Sequence, residues 1–306
     1  MTIRFDDQVV IVTGSGNGLG KSHALEFARR GARVVVNDLG GALDGSGGSS
    51  AAAETVVEEI KDAGGEAIAN GANVTDFSQV QAMVGQALDK WGRVDVLVNN
   101  AGILRDKTFA KMELEDFSLV VDVHLQGAVN CTKAVWDHMR EREYGRIVMT
   151  SSSSGIYGNF GQTNYGAAKM SLVGFMNSLF LEGQKYNIHV NSLAPIAATR
   201  MTENLMPGEV LKHLDPTNVT PAVIFLASQD APTKQIVAAG AGVFAKVVIQ
   251  ETPGVFLAEA DRNAENVAAQ WAQISAKDGA VELNAGSDQT MKFLAKAAKA
   301  LGIELT

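Results

Sequence analysis

Apolar residues fall along this chain in short, nearly unbroken runs: Val9–Val12, Val34–Val36, Val94–Val98, Ile147–Met149 and Ile188–Leu193. Runs of that length without polar alternation fit strands buried on both faces. Between them lie longer stretches with apolar residues three and four apart: Ser22–Arg30, Glu54–Ala63, Val80–Trp91, Phe117–Arg140 and Ala167–Lys185. That spacing lines one face of a helix. Strand and helix in alternation predict parallel βαβ units, so the expected fold class is α/β, a doubly wound parallel sheet flanked by helices. Residues 39–50 are rich in glycine and serine and read as a polar loop. Beyond about residue 250 the pattern changes. After Pro253-Gly254, two helices are predicted, Asn263–Ala276 and Asp288–Leu301, with no strand between them. The expected division is one domain over 1–250, followed by a C-terminal helical appendage over 251–306.

Composition narrows the class. With 46% apolar and 20% charged residues, the 306-residue chain is an ordinary soluble globular sequence, long enough to bury a core. A net charge of -8 argues against a nucleic-acid partner, while leaving room for a local basic patch that holds a phosphorylated ligand. Cys131 is the single cysteine, which rules out an intrachain disulfide and a thiolate metal cluster; no metal is expected. It shares an apolar helix face with Val135 and Met139 and reads as a small buried side chain. No run of eighteen apolar residues is present, so no membrane span is expected. The first residues lack the order of a signal peptide, and the last three are not a peroxisomal Ser-Lys-Leu address. A cytoplasmic location is the expectation.

The candidate chemistry centres on Ser152, Tyr165 and Lys169. Tyr165 and Lys169 are four residues apart, which places them on one helix face. An ammonium beside a phenol favours the phenolate, so the spacing predicts a lowered tyrosine pKa. Such a tyrosine exchanges a proton with an alcohol or a carbonyl near neutral pH. The Ser152 hydroxyl would hold the same substrate oxygen. By itself a Tyr-x-x-x-Lys pair is equally an ordinary pair on a helix surface.

Independent support comes from the N-terminus. Gly14, Gly18 and Gly20 lie between an apolar strand and a helix, where glycine allows close approach of a ligand and the helix start attracts a pyrophosphate. Asp38 follows the second strand, placed to accept hydrogen bonds from an adenosine ribose. Its charge would repel a 2′-phosphate, which favours NAD over NADP; Lys21 and Arg33 nearby would blunt that preference. Asn99 and Asn100 end the fourth strand, to line the cofactor crevice, to brace neighbouring strands, or both.

Together, T-G-x-x-x-G-x-G at Thr13–Gly20, N-N-A-G at 99–102, Ser152, Tyr165-x-x-x-Lys169 and Ala194-Pro195 resemble the short-chain dehydrogenase/reductase superfamily, over residues 6 to about 245. The segments VVVNDLGG, NNAGILRDKTF, VHLQGA and YGRIVMTSSSSGIYGNFGQTNYGAAK are similar to its (3R)-hydroxyacyl-CoA dehydrogenase branch, found in peroxisomal multifunctional enzyme type 2. The resemblance implies a Rossmann sheet and an NAD-dependent oxidation of a (3R)-3-hydroxyacyl-CoA, fatty-acyl or steroid side-chain. Alternatives within it are a hydroxysteroid dehydrogenase and a 3-oxoacyl carrier-protein reductase; a non-enzymatic cofactor-binding regulator is disfavoured by the intact trio. By position it implies Gly14, Gly18, Leu19 and Gly20 at the pyrophosphate, Asp38 at the ribose and Asn73-Val74 by the adenine. Asn99, Gly102, Tyr165 and Lys169 would flank the nicotinamide ribose, and Pro195, Ile196 and Thr199 the carboxamide and phosphates.

One position departs from the superfamily. His124 stands where an asparagine usually supports a relay water, so either its side chain or only a backbone carbonyl serves there. It is kept as a catalytic candidate. For the substrate, 197–215 is the expected lid; Met201 and Met206 with Tyr157 and Phe160 either line an apolar channel or pack as an ordinary amphipathic helix. Arg105, Lys107, Lys111 and Arg200 are either coenzyme A phosphate ligands or solvated charges. A homodimer or homotetramer through 117–140 and 163–186 is implied. With no hydratase portion in this chain, a separate enoyl-CoA hydratase is the implied partner.

Overall fold

The computed structural model describes residues 2–42, 44–49, 51–197 and 214–304. The chain divides into two compact units, Met1–Lys246 and Val247–Thr306.

The first unit is a sandwich of helices about a central sheet. Its strands are β1 Val9–Thr13, β2 Arg33–Asn37, β3 Glu66–Asn70, β4 Val96–Asn99, β5 Gly145–Thr150, β6 Ile188–Ile196, β7 Ile236–Gly240 and β8 Val243–Val247, in the spatial order 3-2-1-4-5-6-7-8. Pairing is parallel from β3 through to β7. β8 follows across Ala241-Gly242, both with positive φ, as a two-residue turn demands. The doubly wound sheet expected from the alternating pattern is therefore present. Val10, Val12, Val34 and Val36 join Phe27, Val56, Ile60 and Val223 in one core cluster. The intervening Ile11, Leu97 and Ile147 are equally buried. Burial of both sets is why the strand sequences show no polar alternation.

The helices of this unit are α1 Gly18–Arg29, α2 Ala51–Asp62, α3 Phe77–Trp91, α4 Leu114–Val121, α5 Gly127–Glu141, α6 Ser153–Tyr157, α7 Thr163–Gly183 and α8 Thr220–Leu226. Their ends follow local chemistry: Asp76 accepts from Ser78 N and Gln79 N to start α3, and Gly92 at φ 72° stops it. The single helix read over Phe117–Arg140 is interrupted. A π-helical stretch, Asp122–Gln126, joins α4 to α5 and carries His124. Helix α1 begins at Gly18, four residues before the apolar pattern suggests, because the glycine turn runs directly into it.

The second unit holds α9 Ala264–Ala269, α10 Trp271–Ile274 and α11 Gly286–Leu301, with a lone antiparallel bridge between Glu251 and Val281. Lys292 and Gln289 of α11 both bond the Glu251 carboxylate. Among the described residues, no helix is long and apolar enough to cross a membrane.

Candidate active site

The sheet order reverses between β1 and β4, and the crevice beyond the carboxyl ends of the strands is where an open α/β sheet receives ligands. A cavity of about 270 Å³ opens there. Gly14 follows β1, Asp38 follows β2, Asn73 and Val74 follow β3, Gly102 follows β4, Thr150 ends β5 and Pro195 lies in β6; all of them line it.

The glycine turn is bare main chain for a steric reason. Gly14 has φ 62° and Gly18 φ 54°. A Cβ on Gly14 would lie 2.8 Å from Ala101 Cα, and one on Gly16 2.8 Å from Asp38 Oδ2; one on Gly20 would collide with Gly14 O. Asn17, which precedes α1, makes no side-chain cap, and the first turn has no acidic residue. Its N–H groups and positive dipole end are thus presented to an anion. This cradle fits a dinucleotide pyrophosphate. Asp38 Oδ2 accepts from Gly16 N at 2.7 Å and Oδ1 from Gly40 N at 2.7 Å, tying the turn to the loop after β2. Lys21 and Arg33 do not compete for it: Lys21 pairs with Glu59 at 2.6 Å, and Arg33 with Asp7 at 2.9 Å.

The two asparagines part company. Asn100 lines the cavity and donates to Thr13 O at 2.9 Å and Gly14 O at 3.0 Å, fixing the glycine turn. Asn99 is buried behind the cavity wall, with Nδ2 directed at Thr132 Oγ1 at 3.2 Å. Its side chain braces β4 against α5, the second of the two roles expected of it.

Tyr165 and Lys169 do share a face of α7, and both line the cavity. Lys169 Nζ donates to Thr150 O at 2.6 Å, and its position is close to the Tyr165 ring, 5.4 Å from the centroid. Ser152 caps α6, its Oγ accepting from Ser154 N at 3.2 Å, and its hydroxyl favours the Tyr165 phenolate. A Cβ on Gly155 would lie 2.8 Å from Lys169 Cβ, so this glycine lets α6 close onto α7. The expected depression of the tyrosine pKa is absent. Burial pushes Tyr165 up to about 12, the Ser152 bond opposes it and the Asp106 charge adds to it. Burial likewise pushes Lys169 down to about 7. Desolvation here outweighs the attraction between neighbouring ionised forms.

His124 is buried against the same tyrosine. Its Nε2 lies 2.9 Å from Ile103 O and 3.2 Å from Ile103 N, contacts that require opposite tautomers, so one operates at a time. Nδ1 is buried without a hydrogen-bond partner among the described residues. A Cβ on Gly102 would strike the imidazole, which accounts for glycine at that position. Burial first, and the Lys169 charge second, hold the imidazole pKa well below its ordinary value.

Other expected contacts lie elsewhere. Ile196 is exposed at the end of β6 and is not on the cavity wall. Tyr157 and Phe160 are 74% and 89% exposed, beyond the cavity. Thr199, Arg200, Met201 and Met206, with most of the expected lid, fall outside the described residues. Arg105 and Lys107 each reach one oxygen of Asp116 at 2.8 Å. Sequence reasoning missed the loop after β2, whose Leu39, Gly41, Ala42 and Gly45 line the cavity; its glycine content directly after Asp38 was the available signal. It also missed a bond between Asp106 Oδ2 and Gln162 Nε2, at 2.6 Å. Among the described residues, no group of three or more histidine, cysteine, aspartate or glutamate side chains is arranged to hold a metal ion.

Comparison with known proteins agrees with this geometry. Residues 8–209 match the short chain dehydrogenase family. The chain is 50% identical over 296 residues to peroxisomal multifunctional enzyme A of Dictyostelium discoideum, covering 96% of this chain and 66% of that enzyme. It is 49% identical over 275 residues to a putative short-chain type dehydrogenase/reductase of Mycobacterium tuberculosis, covering 90% of this chain and 96% of that one. The structure of full-length peroxisomal multifunctional enzyme type 2 from Drosophila melanogaster superposes with a TM-score of 0.80 at 36% identity, covering 96% of this chain and 50% of that chain. The chain thus spans about two thirds of the first of these relatives and half of the last.

Proposed function

From the premise that this chain belongs to the short-chain dehydrogenase family, we propose that it oxidises a (3R)-3-hydroxyacyl-CoA to the 3-oxoacyl-CoA with NAD. The observation that carries the reading is the meeting of Tyr165 and Lys169 in the cavity that begins at the Gly14–Gly20 turn, with Ser152 at the start of α6. The thioester class rests on relatives named as multifunctional peroxisomal enzymes, which this chain matches only in part. NAD is preferred because Asp38 sets a carboxylate where a 2′-phosphate would lie, while Lys21 and Arg33 are already paired.

In this reading Ser152 holds the alcohol oxygen and Tyr165 takes its proton. A nicotinamide cofactor, when bound, would supply the hydride acceptor. The hydroxyl proton passes to the Tyr165 oxygen and the C3 hydrogen leaves with its electron pair, so the alcohol becomes a ketone. Lys169 adds positive charge beside the phenol, against the burial that opposes ionisation. His124 holds the backbone at Ile103 and so fixes the wall facing Tyr165. The main chain at Gly14, Gly18, Leu19 and Gly20 would receive the pyrophosphate, with Asn73 and Val74 at the adenine and Gly102 and Pro195 towards the nicotinamide.

A separate enoyl-CoA hydratase is the proposed supplier of the alcohol, in the cytoplasm, and α5 and α7 are the proposed faces of a homodimer or homotetramer. The deciding experiment offers NAD and NADP with (3R)- and (3S)-hydroxyacyl-CoAs, free acids and sterols while NADH or NADPH absorbance is followed. Turnover confined to the (3R) thioesters with NAD is the expected result. Preferential turnover of sterols would replace it with the hydroxysteroid reading, and preferential reduction of carrier-protein thioesters with NADPH with the reductase reading.

A further inference from the structure

The loop after β2 takes no part in the chemistry, yet it forms one wall of the cavity through Leu39, Gly41, Ala42 and Gly45. It is folded on itself: Ser49 N donates to Leu39 O at 2.8 Å, and Ala42 N to Ser46 O at 2.7 Å. Asp38 holds its base through Gly40 N. Its tip is held by the segment after β4, where Arg105 Nε donates to Asp44 O at 2.8 Å. Beside that bond the two walls touch: a Cβ on Gly45 would lie 3.3 Å from Ile103 Cδ1, and both residues line the cavity. In the sheet β2 and β4 stand on either side of β1, so the bond joins the two segments that flank the glycine turn.

Arg105 is itself anchored twice. Its Nη1 pairs with Asp116 Oδ1 of α4 at 2.8 Å, and its main-chain oxygen accepts from Asn164 Nδ2 at 2.9 Å. Asn164 is fully buried in the first turn of α7, and its Oδ1 accepts from Tyr165 N at 2.8 Å. One guanidinium thus serves the loop through Nε and a carboxylate through Nη1, a division that the rigid fork of arginine fixes and a lysine ammonium does not. Lys107 takes the other Asp116 oxygen, also at 2.8 Å, and none of its described bonds reaches the loop.

We propose that Arg105 is a positioning residue that tethers the loop after β2 against the cofactor cavity and so slows release of the bound dinucleotide. The proposal rests on the cofactor reading above and goes beyond it, giving a role to a cation and a loop that the hydride transfer leaves unused. A dinucleotide held at Gly14–Gly20 and Asp38 shares the cavity with this loop, so its departure displaces the loop. Asp38 restrains the base and Arg105 the tip. A hydrogen bond from a charged donor is stronger than a neutral one, and its loss changes a dissociation rate by about tenfold. Substitution of the Arg105 side chain leaves its main-chain bond to Asn164 in place, so the setting of Tyr165 is kept.

The test uses Arg105→Met, which removes the tether, and Arg105→Lys, which keeps a cation for Asp116 and loses the fixed Nε donor. Lys107→Met is the control, because it disturbs the same carboxylate without touching the loop. NADH release is followed by stopped-flow fluorescence and hydride transfer by single-turnover absorbance. Hydrogen exchange at the amides of Gly45, Ser46 and Ser49 is read in the cofactor-free protein. Both Arg105 variants should release NADH about tenfold faster and exchange these amides faster, with the single-turnover rate unchanged. Lys107→Met should match the wild type in all three. Wild-type release and exchange in both Arg105 variants overturns the proposal, and so does an equal change in Lys107→Met, which would trace the effect to Asp116. A loss confined to the KM of coenzyme A thioesters, absent with their pantetheine analogues, also overturns it and makes Arg105 a phosphate ligand. If the wild type binds no NADH, the NAD reading of the previous subsection falls; release of NADPH and exchange in the free protein still decide the role of Arg105.

Discussion

His124 stands edge-on to Tyr165, with ring centroids 5.2 Å apart and planes at 89°. Its other neighbours include the Ile103 backbone and the bare Cα of Gly102, so the imidazole is wedged between the end of β4 and the Tyr165 phenol. Gly102→Ala should push the ring towards Tyr165. Overpacking of this kind costs about 1–3 kcal/mol. We expect a lower melting temperature and a fall in kcat larger than any change in NADH affinity. An alanine variant with wild-type kcat would remove His124 from the positioning of the tyrosine.

Asp38 serves two ends. It would select the ribose, and it also ties Gly16 N to Gly40 N. Asp38→Ala removes the repulsion of a 2′-phosphate, so the NAD-to-NADP ratio of kcat/KM should fall by about tenfold or more, the scale of one lost like-charge contact. Because two backbone N–H groups lose their partner, absolute affinity for NAD should fall as well. Initial rates with both cofactors check this, and an unchanged ratio counts against Asp38 as the selector.

Why these residues were legible in the sequence, and others not, has a physical basis. The valine-rich strands were visible because burial on both faces removes polar residues from them altogether. The third strand, Glu66–Asn70, and the seventh, Ile236–Gly240, owe their apolar runs largely to alanine, which favours helices as well and so marks a strand poorly. The π-helical stretch escaped because apolar positions pass through it unbroken, from Val120 to Val123 and on to Ala128. Tyr165 and Lys169 form a local i, i+4 pair and so could be read directly. Asp106 and Gln162 are 56 residues apart and meet only through tertiary packing. The tyrosine pKa went the other way because burial, unlike spacing, is not written in a local motif.

Tyr165→Phe should bind NADH with near wild-type affinity and lose about 10²–10⁴-fold in kcat, the range for a general acid or base. The pH dependence has a definite sign. Burial raises Tyr165, so the phenolate needed to oxidise an alcohol becomes more populated as pH rises, and the oxidation rate should climb on the alkaline side. Lys169, pushed down to about 7, is an ammonium chiefly below neutral pH, so Lys169→Met should lower kcat and change the profile at and below about pH 7. A pH profile unaltered in Lys169→Met would take the lysine out of the electrostatic role.

Acid stability should depend on His23, which no step of the chemistry uses. His23 is fully buried in α1, its Nδ1 lies 2.8 Å from Thr220 Oγ1, and burial pushes its pKa down to about 3 from an ordinary 6.5. Above pH 6.5 both the folded and the unfolded chain hold it neutral. Between about 6.5 and 3 the unfolded chain takes up a proton that the folded chain refuses, so stability falls as pH falls through this window. At pH 4.5 the difference amounts to about 2–3 kcal/mol, at 1.36 kcal/mol for each unit of pH below 6.5. His23→Asn keeps a polar atom for Thr220 and cannot titrate. Denaturant melts at pH 7 and pH 4.5 should therefore show the wild type losing about 2–3 kcal/mol more than the variant across that interval. Parallel losses in the two proteins would assign the acid sensitivity to other groups.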